Sequence, residues 1–257
     1  MVRVLVTPAP RLRSQGRTIA VDTSDSHRRL QDSLRTLIHE AGGPANLITP
    51  RGYRHMGLTI VDAVFSLGAR YDTVVVPLLM RYSKVVHSDF WDTKDLEDPP
   101  EHGAKELLET LVKIGTGKFE IFNRQKIRRR NRNHLDKVTV VEELAKKLIE
   151  LKAGTTEDFR SRALTQTGFE YEVRSVPGVG VACYRYLCNL AQLQRLKPDT
   201  QVVAWANNAL GSSHSPEVIA RLLETVAETL ENDLGVGIRQ VDHLIWRKQT
   251  GRQIGRN

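Results

Sequence analysis

Cysteine is scarce in this sequence. The 257 residues hold two, Cys183 and Cys188, five apart on a helix-like stretch, so their side chains point in different directions. One chain therefore forms neither a disulfide framework nor a four-cysteine cluster. Such usage reads as a reducing cytoplasm. Long apolar runs are missing too: no stretch reaches the ~18 apolar residues that a membrane-crossing helix requires. The opening MVRVLVTPAPRLRS mixes charge into its apolar residues and has no signal-like core. HExxH, CxxC and the Walker-type phosphate loop do not occur, so zinc and nucleotide hydrolysis have no support and no metal ligand is assigned. There is no internal repeat and no low-complexity tract.

What is present is length, apolar content and positive charge. Hydrophobic residues make up 40% and charged residues 26%, the balance of a folded globular protein with a sizeable core. The net charge is +8, which favours a polyanionic partner, nucleic acid being the commonest. The strongest basic run holds Arg124, Lys126, Arg128, Arg129, Arg130 and Arg132. It suits a loop that tracks phosphates, or an ordinary solvated face.

The apolar spacing is helical along most of the chain, and the fold class expected is all-α. SDSHRRLQDSLRTLIHEAGG reads as a helix capped by Asp25 or Ser26, with Leu30, Leu34 and Leu37 as its buried stripe and Gly42-Gly43 as its stop. GLTIVDAVFSLGARY is apolar almost all round and should be a buried central helix. DTVVVPLLMRYSKVV is valine-rich and interrupted by Pro77, yet its surroundings favour helix. HSDFWDTKDLEDPPEHG is a polar loop. AKELLETLVKIG, VTVVEELAKKLIELKAG, TTEDFRSRAL, KPDTQVVAWANNAL, SPEVIARLLETVAETLENDLG and GIRQVDHLIWRKQTGR complete the helical set. Ser215 serves as a cap and Pro216 occupies a first helical position.

SVPGVGVACYRYLCNLAQ, residues 175–192, carries the clearest local signal. Two glycines around one valine allow backbone conformations that Cβ atoms block. They sit where a helix starting near Val181 offers unpaired N–H groups. Such donors suit a phosphate oxygen, and they position a nucleic-acid backbone without reading a base. A plain tight turn between packed helices fits the same residues.

The wider pattern is a short helix (TTEDFRSRAL), the Pro-Gly-Val-Gly hairpin, an apolar helix, and then RLKPDTQVVAWA with its aspartate. On Val176, Pro177, Gly178, Val179 and Gly180, and on Asp199 some eighteen residues later, the chain resembles the helix-hairpin-helix DNA glycosylase superfamily, the endonuclease III-like proteins. That resemblance spans roughly residues 155 to 210. It implies a two-lobed fold, with residues 50–195 forming the lobe that carries the hairpin. Residues 1–49 and 196–257 form the second lobe, with Asp199 at the cleft. It further implies a monomeric, cytoplasmic enzyme on double-stranded DNA that flips out a damaged or modified base and excises it. A modified cytosine of phage DNA is one such target.

Within that resemblance Asp199 is the catalytic carboxylate. It faces the positive charge that develops on the sugar and activates a water; an aspartate after proline at a helix start is also a common N-cap. Pro177, Gly178, Val179, Gly180 and Val181, with Arg128, Arg129 and Arg130, are the expected DNA contacts. Asp62, Tyr71, Phe90, Trp91 and Trp205 are candidates for the base pocket or for the wedge that fills the gap left by the flipped base. Asp62, inside an apolar helix, needs a partner, for which Arg70 is the candidate. His243 reads as a packing residue.

Two departures from the family pattern matter. Lyase members carry a lysine two residues after the second hairpin glycine, where this chain has Ala182. Lys197 lies near Asp199 in sequence but should face phosphate or solvent. The iron–sulfur cluster of some members has no cysteines here. No cofactor is expected beyond a structural monovalent cation at the hairpin. The rival readings are a non-enzymatic helix-hairpin-helix protein of repair or replication, and an RNA-binding protein that reuses the hairpin.

Overall fold

The structure, a computed structural model, describes residues 23–50, 52–86, 103–115, 126–127 and 135–255. Among the described residues the fold is all-α apart from one two-residue strand pair. Its helices are α1 (Thr23–Glu40), α2 (Met56–Phe65), α3 (Val76–Val85), α4 (Ala104–Ile114), α5 (Lys137–Glu150), α6 (Thr156–Thr165), α7 (Phe169–Arg174), α8 (Val181–Leu190), α9 (Thr200–Leu210), α10 (Pro216–Leu234) and α11 (Ile238–Gln249). Strands β1 (Lys126–Ile127) and β2 (Leu135–Asp136) pair antiparallel. They lie at the two ends of the arginine run that the sequence reads simply as a charged loop. Arg128, Arg129 and Arg130 fall outside the described residues, as do Phe90 and Trp91.

Two hydrophobic clusters organise the helices. The first draws on residues between Tyr53 and Leu193 and surrounds α2. All ten residues of α2 are buried, as its apolar circumference requires. The second joins α1 to α9, α10 and α11 through residues such as Leu34, Leu37, Val202, Leu223 and Ile245.

Local chemistry sets the helix ends. Thr155 and Ser215 cap α6 and α10 through side-chain oxygens that accept backbone N–H bonds. His55 caps α2: its Nδ1 accepts from the Leu58 amide at 3.0 Å. The far end of α2 is held by Lys137, whose buried Nζ donates to the carbonyls of Phe65 at 2.7 Å and Leu67 at 2.8 Å. Burial pushes that amine down to about 8. The lysine thereby fixes the turn from Ser66 to Arg70.

Three sequence expectations need correction. Neither Asp25 nor Ser26 caps α1, because the helix begins at Thr23. Asp25 instead pairs along the first turn with Arg28 and Arg29, at 2.6 and 2.7 Å. The valine-rich segment is helical, but it opens as a π-turn over Tyr71–Val75 before α3 begins near Pro77. The helix that enters the hairpin is α7, not α6. Only six residues long, α7 buries Phe169 and Val173, a signal too short to show as periodicity.

Candidate functional site

The hairpin joins α7 to α8. Val179 N–H donates to the Val176 carbonyl at 3.0 Å, which closes the turn. Gly178 has φ +99°, a conformation that L side chains rarely adopt. Gly180 is different. Its φ of −92° suits any residue, and an added Cβ would meet nothing within 4 Å. Neither backbone strain nor internal packing demands glycine there. The first backbone bond of α8 runs from the Tyr184 amide to the Gly180 carbonyl. The amides of Val181, Ala182 and Cys183 therefore have no acceptor within the helix. The side chains of Val179 and Val181 are buried, so any contact these residues offer outward is made by backbone.

Asp199 caps α9. Its Oδ1 accepts from the amides of Gln201 at 2.9 Å and Val202 at 3.0 Å. Its Oδ2 is left to Lys197, whose Nζ lies 4.0 Å away. Of the two orientations the sequence suggests for Lys197, toward phosphate or toward solvent, open solvent does not hold. Its side chain is 16% exposed, and the ammonium sits 3.6 Å from the centre of the Tyr186 ring, a cation–π contact. Asp242 holds the same turn from below. It accepts from the Lys197 amide at 2.9 Å and from Asn189 Nδ2 at 3.2 Å. Burial, reinforced by the charge of Asp199, pushes the Asp242 carboxyl up to about 7.

Asp199 and Lys197 line a cavity of about 960 Å³, within the range of small-molecule sites. Its walls come from the loop before α2, the Ser66–Tyr71 turn, one face of α8 and one face of α11. The aromatic side is Tyr53, Tyr71, Tyr186, His243 and Trp246. His243 stacks on Trp246, and Tyr71 meets Trp246 edge-on. Arg252 covers Trp246 from outside and pairs with Asp72. Burial holds the His243 imidazole down to about 4.

Asp62 lies beneath this wall, wholly buried. Arg70 is not its partner. Four hydroxyls are: Tyr53 at 2.9 Å and Tyr71 at 3.1 Å donate to Oδ2, and Ser66 at 2.7 Å and Tyr186 at 3.4 Å donate to Oδ1. Burial raises the Asp62 pKa, while the Ser66 and Tyr53 bonds and the Lys197 charge pull it back. Burial and the Asp62 charge raise the three phenols.

Of the sequence candidates, Asp199, Tyr71 and Asp62 thus gather at one cavity, and Ala182 lies on its wall. Trp205 does not join them. It packs against the second cluster, beside α1, and is placed neither to wedge nor to stack at this cavity. His243 is a wall residue rather than a packing residue. Sequence reasoning missed Tyr53, Tyr186, Asn189, Arg239, Asp242 and Trp246. A signal existed: Arg239, Asp242, His243 and Trp246 stand at i, i+3, i+4 and i+7, a polar and aromatic stripe on one face of α11. Ala182, Tyr186 and Asn189 stand at i, i+4 and i+7 on α8. Among the described residues no group of three or more His, Cys, Asp or Glu could hold a metal ion. Nor is any helix there long and apolar enough to cross a membrane.

A protein-family comparison matches residues 32–250 to DUF8548, a domain of unknown function. The chain belongs to the DUF8548 family. No curated protein matches it. Among solved structures, MBOgg1 in complex with a low-affinity DNA ligand is similar, with a TM-score of 0.50 and 13% identity over 90% of this chain and 72% of that one. At such identity the likeness establishes a shared fold, and this DUF8548 chain has it.

Proposed function

We propose that this protein is a DNA N-glycosylase of the helix-hairpin-helix superfamily that leaves an abasic site. The observation that carries the reading is the divided Asp199 carboxylate. One oxygen is spent on capping α9, the other lies 4.0 Å from Lys197 Nζ, and the residue lines an aromatic cavity beside the hairpin helix. The fold shared with MBOgg1, a protein solved with a DNA ligand, and the net charge of +8 support a DNA partner.

In this reading double-stranded DNA lies across the junction of the two hydrophobic clusters, which are the two lobes. The hairpin amides hold a phosphate, and a damaged or modified base swings into the cavity at a cost of a few kcal/mol. Tyr71, Tyr186 and Trp246 stack on it. Cleavage of the N-glycosidic bond places positive charge on the sugar. Asp199 Oδ2 faces that charge and activates the water that completes hydrolysis.

No amine stands at Ala182. Lys197, the nearest lysine on the cavity wall, is engaged by the Tyr186 ring and by Asp199. The product is therefore an intact strand with an abasic site. Incubation with duplexes bearing damaged and phage-modified bases, followed by alkali, tests this: strands break only after alkali. Borohydride traps no protein–DNA adduct. A trapped adduct that is lost in Lys197→Ala overturns the hydrolytic reading. A break without alkali and without a trapped adduct indicates a nuclease. DNA binding without base release from any duplex leaves the non-enzymatic module, which the capping bonds of Asp199 favour.

A further inference from the structure

Asp242 is a buried acid on the wall of the Asp199 cavity, and the hydrolysis above gives it no part. It stands on α11, one turn before Trp246. Both of its oxygens are engaged: Oδ1 accepts from the Lys197 amide at 2.9 Å and Oδ2 from Asn189 Nδ2 at 3.2 Å. The Lys197 carbonyl in turn accepts from the Asp199 amide at 2.8 Å. A continuous run of bonds thus leads from α11, through Lys197, to the backbone of Asp199. Pro198, between the two, has no N–H to add another. The turn is tied once more at its start, where the Leu196 amide donates to Glu224 of α10 at 3.3 Å. Glu224 is itself paired with Arg185 of α8.

An uncharged acceptor could hold the Lys197 amide without the cost of burying a carboxylate. Carboxylates kept buried beside a cavity, with their titration displaced, gather at functional sites. Burial and the charge of Asp199 push Asp242 up to about 7, so its charge changes around neutral pH. The groups that face it are Asp199 and Lys197 from the turn, Asn189 from α8 and Arg239 from its own helix. His243, held down to about 4 by burial and by Arg247 and Arg252, does not titrate in that range.

We propose that Asp242 is a positioning residue for base release: through Lys197 it sets where the Asp199 carboxylate stands, and it does so in its ionised form. This rests on the glycosylase reading. An ionised carboxylate makes the stronger, charge-assisted bond to an amide. Protonation slackens its hold on the turn, and a misplacement of about 1 Å at a reacting group costs on the order of 10²-fold in rate. Asp242 acts through Lys197 and touches no reacting atom.

Asn189 allows the charge to be removed by itself. Its Oδ1 has no hydrogen-bond partner among the described residues. In Asp242→Asn the new amide keeps an oxygen for the Lys197 N–H, and Asn189 can turn over to accept from the new NH2. Both bonds survive and only the negative charge is lost.

The test uses the full chain, in excess over a duplex from which the wild type releases base, and reads single-turnover release between pH 6 and pH 8. The wild-type rate should rise about ten-fold over that range, as the ionised fraction of an acid titrating near 7 does. Asp242→Asn should give a flat profile and a rate about ten-fold below the wild type at pH 8, with duplex affinity by fluorescence anisotropy unchanged. Asp242→Ala removes the acceptor as well and should lose on the order of 10²-fold at pH 8; if it does not fold, Asp242→Asn decides alone. A wild-type rate and profile in Asp242→Asn overturn the proposal. So does a fall in duplex affinity that accounts for the whole loss of rate, since Asp242 would then serve binding. Both results leave the glycosylase reading standing. Absence of base release by the wild type from every duplex refutes that reading, and the positioning role with it.

Discussion

Asp199→Asn separates the two roles of one side chain. In the wild type Oδ1 accepts the Gln201 and Val202 amides. Asparagine keeps an amide oxygen in that place and ranks beside aspartate as an N-cap. The fold should therefore lose only a few tenths of a kcal/mol, less than about 1 °C in Tm for a chain of this size. Asp199→Ala removes the cap as well and should cost about 1 kcal/mol, roughly 2–4 °C. Catalysis follows another rule. Both variants lose the negative charge facing the sugar, and a single preorganised electrostatic group contributes roughly 10²–10³ in rate. The two variants should thus differ in melting temperature and agree in the loss of base release. Thermal melts, together with single-turnover assays scored by alkali cleavage, read both quantities. DNA affinity by fluorescence anisotropy should be retained in each. Base release at the wild-type rate by the asparagine variant would reduce Asp199 to a helix cap and refute the mechanism.

Further predictions test the hairpin, the basic run and the floor of the site. Gly180→Asp should stabilise α8 by up to about 1 kcal/mol, because aspartate is a good N-cap and complements the helix dipole. It should weaken DNA binding by setting a negative charge where a phosphate docks; unchanged affinity would place the DNA elsewhere. Replacing Arg128, Arg129 and Arg130 by alanine should flatten the dependence of log affinity on log salt by about 0.9 for each phosphate that is no longer neutralised, whereas an unchanged slope makes the run a solvated face. Asp242, raised in the fold to about 7, stabilises the protein fully below the ordinary carboxylate pKa. That contribution is lost as pH rises through 7, at most ~4 kcal/mol over about three units. Asp242→Asn should therefore gain stability relative to the wild type between pH 5 and pH 8 in urea melts, and parallel pH profiles would refute the assignment.

Helices whose signals are local could be read from the chain alone. Ser215 with Pro216, Thr155 and the all-apolar α2 announce themselves within a few residues, because capping and amphipathicity are short-range. The hairpin and Asp199 were legible for the same reason: Pro-Gly-x-Gly and an aspartate after proline are patterns in a single stretch. Six-residue α7 was not legible, since two buried residues make no period. The company these residues keep was settled by packing. Asp62 reads as a carboxylate in search of an arginine, and it finds four hydroxyls delivered by the loop before α2, the turn after it, and α8. Lys197 reads as facing phosphate or solvent, and Tyr186 on α8 draws it against the cavity wall. Trp205 and Trp246 are both aromatic residues on helices, and packing sends one toward α1 and the other into the cavity wall. Such choices depend on which faces meet across two clusters joined by distant segments. Spacing along one chain does not encode that, because the partners are brought together only when burial of the apolar faces fixes the helices against each other.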